Sequence, residues 1–295
     1  MRARSSTGRW AVSLLICLPL LVALGVALAI NRGTSASGAA RPVARPSAPP
    51  ATQPTAPRAT ASTPSSSPAA QSHVVLALGD SVPSGHACGC SPFPETYGSL
   101  LSRRTGAQVT VDNRAVSGLQ TADVIDQLRD PDVASAVRRA DVFLVTIGAN
   151  DFGDHHDQVV GGTCGAGDTD CVSDELDSMG AHLASVLATI RALRNGRPTS
   201  VLVTGYWNVF EDGDVARRAY GTSGLQASLR LTQRANAVIE SVSAAAGARY
   251  VDLYGPFEQS GRDVTALMAA DGDHPDAAGH LLIARTLLAA GLPRS

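Results

Sequence analysis

The stretch HVVLALGDSVPSG, His73 to Gly85, decides how the rest of the chain is read. Its first six residues form a short apolar run with no helical period, closed by a glycine, and a run of that length reads as a buried strand. Outward from it the pattern repeats. Gln108 to Asn113, Asp141 to Ile147, Thr199 to Thr204 and Arg249 to Leu253 are further candidate strands, each ending in a loop. Between them Leu176, Met179, Leu183, Val186, Leu187, Ile190 and Leu193 recur at helical spacing, as do Leu225, Leu229, Val238, Ile239 and Val242 on another face, and Ala277 to Ala290 reads as a last helix. Strands alternating with helices predict an α/β domain on a mostly parallel sheet. In such sheets ligands sit beyond the carboxyl ends of the strands, so the loops after Leu78, Asn113, Ile147 and Leu253 are where chemistry is expected.

The flanks of this domain have a different character. Arg2, Arg4 and Arg9 precede an uncharged, mostly apolar run from Trp10 to Ile30, and about 20 such residues suffice to span a hydrocarbon core. The positive-inside rule then places everything after Arg32 outside the cytoplasm. Residues 1–32 are thus read as a membrane anchor or a signal peptide. The run exceeds the usual apolar core of a signal peptide, which favours the anchor, while small residues at Ala27, Ala29 and Ala39 keep cleavage open. Cys17 follows the bulky Ile16 inside the apolar run, which argues against lipidation. Residues 33–72 are Pro, Ala, Ser and Thr with scattered Arg, a composition that cannot bury enough surface to offset its ordering entropy, so a disordered tether is expected. Residues 73–295 remain for one globular domain.

Composition excludes some partners. The 295-residue chain carries 24 basic and 26 acidic residues and a formal charge of -2, so no long-range attraction to nucleic acid is expected. Every basic residue is Arg, and with abundant Ala and Gly this points to GC-rich coding, as in actinobacteria. Four of the five cysteines fall in the domain, and an even number in an exported domain predicts disulfides. Cys164 with Cys171 is the favoured pair. Cys88 with Cys90 would close a tight ring, and cross-pairing between the two loops is the alternative; a zinc site is disfavoured by the CGC spacing.

Four loop motifs suit one reaction. In GDSVPSG, Ser81 sits on a glycine-flanked turn after a strand, where a hydroxyl is presented outward and backbone N–H groups converge; Asp80 is expected to fix that turn. A serine hydroxyl needs a base to take its proton, and the base needs a partner to hold its tautomer. DGDHP (Asp271 to Pro275) offers both, with His274 as base and Asp271 as partner; Asp273 is the rival. A developing oxyanion needs donors, and the N–H of Ser81, the N–H of Gly118 in NRAVSG and the side-chain amide of Asn150 in GAND are available.

The order GDS, loop Gly, GxND and DxxH, spread over about residues 73 to 291, resembles the SGNH hydrolase superfamily, the GDSL-like lipases and esterases. The resemblance implies a flavodoxin-like three-layer α/β/α sandwich with a five-stranded parallel sheet. It places Ser81, Gly118, Asn150 and His274 at the four eponymous positions and Asp271 as the acid of the triad. Val82 stands where the motif has Leu. No cofactor or metal is implied, and paired cysteines with an export segment are similar to secreted members.

The expectation is therefore an extracytoplasmic serine esterase, anchored or secreted and monomeric, acting on short- to medium-chain acyl esters of a small-molecule, lipid or glycan substrate. Two alternatives stand beside it: an O-acyltransferase acting on a wall glycan, and a catalytically inactive tethered wall-binding domain. Asp154, His155, His156 and Asp157, with Asp168 and Asp170, are read as a solvated flexible lid in preference to a divalent-cation site. His86 is placed at the pocket mouth. His182 and His280 are read as structural or surface residues, and Tyr206 with Trp207 as an acyl or sugar wall or core.

Overall fold

Val75 to Leu78 are buried without residual exposure. A strand apolar on both faces needs cover on both, which only a sheet between two helical layers provides. The computed structural model, which describes residues 72–164, 170–259 and 261–291, has that three-layer arrangement. Its strands are β1 (Ser72–Gly79), β2 (Gln108–Asn113), β3 (Val142–Thr146), β4 (Ser200–Thr204) and β5 (Arg249–Val251), all parallel in the order β2-β1-β3-β4-β5.

The register pairs Val75 with both Val111 and Val142, and Leu144 with Leu202, so the middle of the sheet is a continuous apolar ribbon. The edge strands are wetter: β2 is half-buried and β5 has only three residues. Helices connect the strands: α1 (Ser81–Ser84), α2 (Phe93–Thr105), α3 (Thr121–Arg129), α4 (Pro131–Arg139), α5 (His156–Val160), α6 (Ser173–Arg194), α7 (Gly213–Ala245), α8 (Tyr254–Glu258) and α9 (Ala277–Ala290). One layer pairs α2 with α9; in the other α6 packs on α3, α4 and α7.

All five predicted strands form. The third is one residue shorter at each end than the sequence suggests, and the fifth stops at Val251 because Leu253 already turns into α8. The second apolar stripe lies on α7, which is interrupted at Gly221 (φ 67°, ψ -178°), a conformation foreign to a helix. The first part of the stretch expected as a flexible lid is helical: a 3-10 segment covers Ala149–His155 and α5 follows, while residues 165–169 lie outside the described residues. The N-terminal apolar run and nearly all of the tether lie outside the described residues. Among those described, no helix is long and apolar enough to cross a membrane.

The strand order fixes the place of the site. The chain leaves β1 towards β2 on one side and returns to β3 on the other, so the crevice at the carboxyl ends of β1 and β3 is a topological switch point. Ser81 follows β1 and Asn150 follows β3.

Candidate active site

The turn that carries Ser81 is built by its neighbours. Gly79 has φ 143°, and a Cβ there would strike the carbonyl oxygen of Thr146 on β3. A bare Cα lets the chain turn sharply, and Asp80 N–H then donates to that same oxygen at 3.1 Å. Asp80 caps α1, its Oδ1 accepting the Val82 N–H at 3.0 Å. As the first residue of α1, Ser81 keeps its own N–H outside the helix ladder.

Asp80 is buried, and its second oxygen accepts the Tyr206 hydroxyl. Burial pushes its pKa up to about 7, against the opposing pull of the Tyr206 and Val82 donors. Tyr206 is itself clamped by Asn236 of α7, which accepts the Tyr206 N–H and donates to its carbonyl, both at 2.8 Å. The residue expected to stiffen the turn is thus held from a position 126 residues further along the chain.

The DGDHP loop closes on itself. Asp271 Oδ1 accepts the N–H groups of Asp273 and His274 at 3.1 Å each, and Oδ2 lies 2.9 Å from His274 Nδ1. A carboxylate only accepts, so Nδ1 donates the proton of this bond and Nε2 is the nitrogen left to face other partners. Burial acts to raise the Asp271 pKa, but the N–H and ring of His274 with the N–H of Asp273 hold it below the ordinary value. Asp273 lies farther from Nδ1, at 3.7 Å, and its carboxyl is raised by burial. Asp212 N–H holds the loop from outside, donating to Gly272 C=O at 2.7 Å.

Ser81 and His274 line one cavity of about 30 Å³ together with Asp80, Asn150, Tyr206, Trp207, Val209 and Asp273. Early hydroxyl and late imidazole therefore face one cavity at the switch point. Among the described residues no hydrogen bond joins the Ser81 hydroxyl to the ring, and such bonds commonly tighten only when substrate is bound. The His86 ring packs 4.7 Å from that of His274, although His86 is not among the residues that line the cavity.

The Gly118 loop runs beside this cavity. It is laid on the end of β1 by Arg114 N–H to Ala77 C=O (2.9 Å) and Val116 N–H to Gly79 C=O (3.0 Å). Asn150 donates to Leu119 C=O at 2.9 Å, and Gln120 donates back to Asn150 C=O at 3.1 Å. Asp151 secures the arrangement by accepting the Thr121 N–H (3.0 Å) and hydroxyl (2.5 Å). The two donor loops are thereby one unit, a tie that the sequence reading missed because nothing local to GAND announces Thr121.

Other expected residues fall as follows. Tyr206 and Trp207 are both buried and both wall the cavity, so the two readings of them coincide. His155 pairs with Glu175 at 2.8 Å and His156 with Glu211 at 3.1 Å, so these histidines are not directed at a common point; Asp168 lies outside the described residues. His280 is buried and accepts the Phe93 N–H at 3.1 Å. Cys88 faces Cys90 and Cys164 faces Cys171, with Cα separations of 5.1 and 5.8 Å.

Comparison with known proteins fits this geometry. The profile of the GDSL-like lipase/acylhydrolase family matches residues 77–282. No curated protein matches the chain. Among solved structures it is similar to a lipase from a goat rumen metagenome (20% identity, TM-score 0.64, covering 75% of this chain and 99% of that one). It is also similar to Axe2, an acetylxylan esterase from Geobacillus stearothermophilus (19% identity, TM-score 0.52, covering 75% and 94%). At such identities the likeness is one of fold.

Proposed function

We propose, from the premise that the chain belongs to the GDSL-like lipase/acylhydrolase family and is a carboxylic ester hydrolase, that it cleaves short-chain acyl esters through Ser81, His274 and Asp271. The observation that carries this reading is the shared cavity of Ser81 and His274 above the Asp271–His274 hydrogen bond. His274 Nε2 takes the proton of Ser81 as Oγ attacks the ester carbonyl. Asp271 stabilises the imidazolium that forms. The tetrahedral oxyanion is held by the N–H groups of Ser81 and Gly118 and by the second amide hydrogen of Asn150, whose first is spent on Leu119. The intermediate collapses, the alcohol leaves with the proton from His274, and a water deprotonated by the same ring releases the acid from Ser81.

The size of the cavity supports the acyl chain. About 30 Å³ walled by Tyr206, Trp207 and Val209 has room for a small acyl group such as acetyl, which supports the short end of the range. The apolar N-terminal run behind three arginines supports an extracytoplasmic site of action. A p-nitrophenyl ester series tests the reading: kcat/KM for acetate exceeds that for octanoate at least about tenfold, since each misfit methylene costs a factor of this order. Equal or better turnover of octanoate overturns the chain-length assignment, and no turnover of any ester overturns the function.

A further inference from the structure

Cys88 and Cys90 are joined across a single glycine. A bridge over so short a segment removes little freedom from the unfolded chain, because the constraint grows with the length of the closed loop. Stability is therefore a poor account of it. The surrounding backbone is bent to let the ring close: Gly89 has φ 58° and Ala87, an L-residue with a side chain, is held in the left-handed region at φ 56°. Both cysteines are half-exposed, between exposed His86, Ala87, Gly89 and Ser91. In the other pair Cys164 is buried and Cys171 exposed, and the bridge encloses a longer segment, so it constrains the unfolded chain more.

A second group stands behind the first pair. A ring nitrogen of His280 lies within 4.8 Å of both sulfurs. The ring is buried and neutral, its pKa lowered to about 4 by burial. Because Nδ1 accepts the Phe93 N–H, the proton sits on Nε2, which has no partner among the described residues.

We propose that Cys88–Cys90 is a labile disulfide that exchanges with external dithiols, and that Cys164–Cys171 is the inert bridge of the domain. A thiolate of the dithiol attacks one sulfur, the Cys88–Cys90 bond breaks, and the other cysteine leaves as a thiolate that takes up a proton. The second thiol of the reagent then attacks its own sulfur in the mixed disulfide. The pair gains two electrons and two protons, and the dithiol becomes a disulfide. The exchange has a route to the cavity, since the same loop carries His86 against His274 and is tied to the serine by His86 N–H to Ser81 C=O at 3.1 Å. That coupling rests on the reading of His274 as the base; the exchange itself does not.

The test equilibrates the folded, oxidised protein in buffers of graded reduced to oxidised dithiothreitol, then alkylates and locates free thiols by peptide mass. Cys88 and Cys90 are expected to open at a reduced-to-oxidised ratio at least ten times lower than Cys164 and Cys171, about 30 mV apart, with circular dichroism unchanged. Esterase turnover is expected to fall with their opening and to return on reoxidation, and Cys88→Ser/Cys90→Ser turnover is expected not to respond to the dithiol. Opening of both pairs together, opening only on unfolding, or a different pairing in the oxidised protein overturns the exchange. Selective opening with unchanged turnover overturns the coupling alone, while absence of any esterase activity leaves the thiol titration to decide the exchange.

Discussion

His274 Nδ1 lies 2.9 Å from Asp271 Oδ2 and 3.7 Å from the nearest oxygen of Asp273, two carboxylates of one loop only one of which is placed as its partner. Asp271 also accepts two backbone N–H groups, so its orientation is fixed before substrate arrives. Asp271→Asn is expected to lower kcat at least about a hundredfold by disturbing the tautomer of the base, whereas Asp273→Asn stays within about tenfold of wild type. Steady-state kinetics of the two variants on p-nitrophenyl acetate compare them directly. Equal losses would reassign the partner.

Asn150→Ala removes the side-chain amide of a cavity-lining residue while leaving the Ser81 and Gly118 N–H groups in place. Its expected effect is a fall in kcat of about 100- to 1,000-fold, with KM changed less than threefold or so, because the lost interaction forms with the developing oxyanion. A loss carried by KM would make Asn150 a substrate-binding residue instead.

The buried Asp80 makes stability depend on pH. Its carboxyl titrates near 3.8 unfolded and near 7 folded, so between those values the folded state binds more protons than the unfolded one. Stability therefore falls as pH rises from about 4 to about 7, by up to about 4 kcal/mol. Asp271 has the opposite sign, its contribution being lost only as pH drops below the ordinary carboxylate range. Thermal melts from pH 4 to 8 should show wild type losing ground to Asp80→Asn over that window. Parallel curves would mean that Asp80 is ionised throughout.

What the sequence made legible was whatever a short window contains. Val75 to Leu78 report burial on both faces by being uniformly apolar, and the turn at Gly79 follows from a glycine. The Asp271–His274 contact spans three residues, so it too could be read along the chain. The Tyr206–Asp80, Asn236–Tyr206 and Thr121–Asp151 contacts join positions 30 or more apart, and Tyr and Thr serve equally well in any core. The helical turns over residues 149–160 were missed for a related reason: a charged, glycine-containing stretch reads as loop, and the partners of its two histidines, Glu175 and Glu211, lie on other elements.

The central claim is that Ser81 is activated by His274 and becomes acylated. Reaction of the folded protein with a fluorophosphonate, followed by peptide mass analysis, reads this without needing the natural substrate. One phosphonyl group on Ser81, with labelling slowed at least about a thousandfold in His274→Ala, is the predicted result. Labelling at another residue, or at Ser81 with the same rate in His274→Ala, would contradict it.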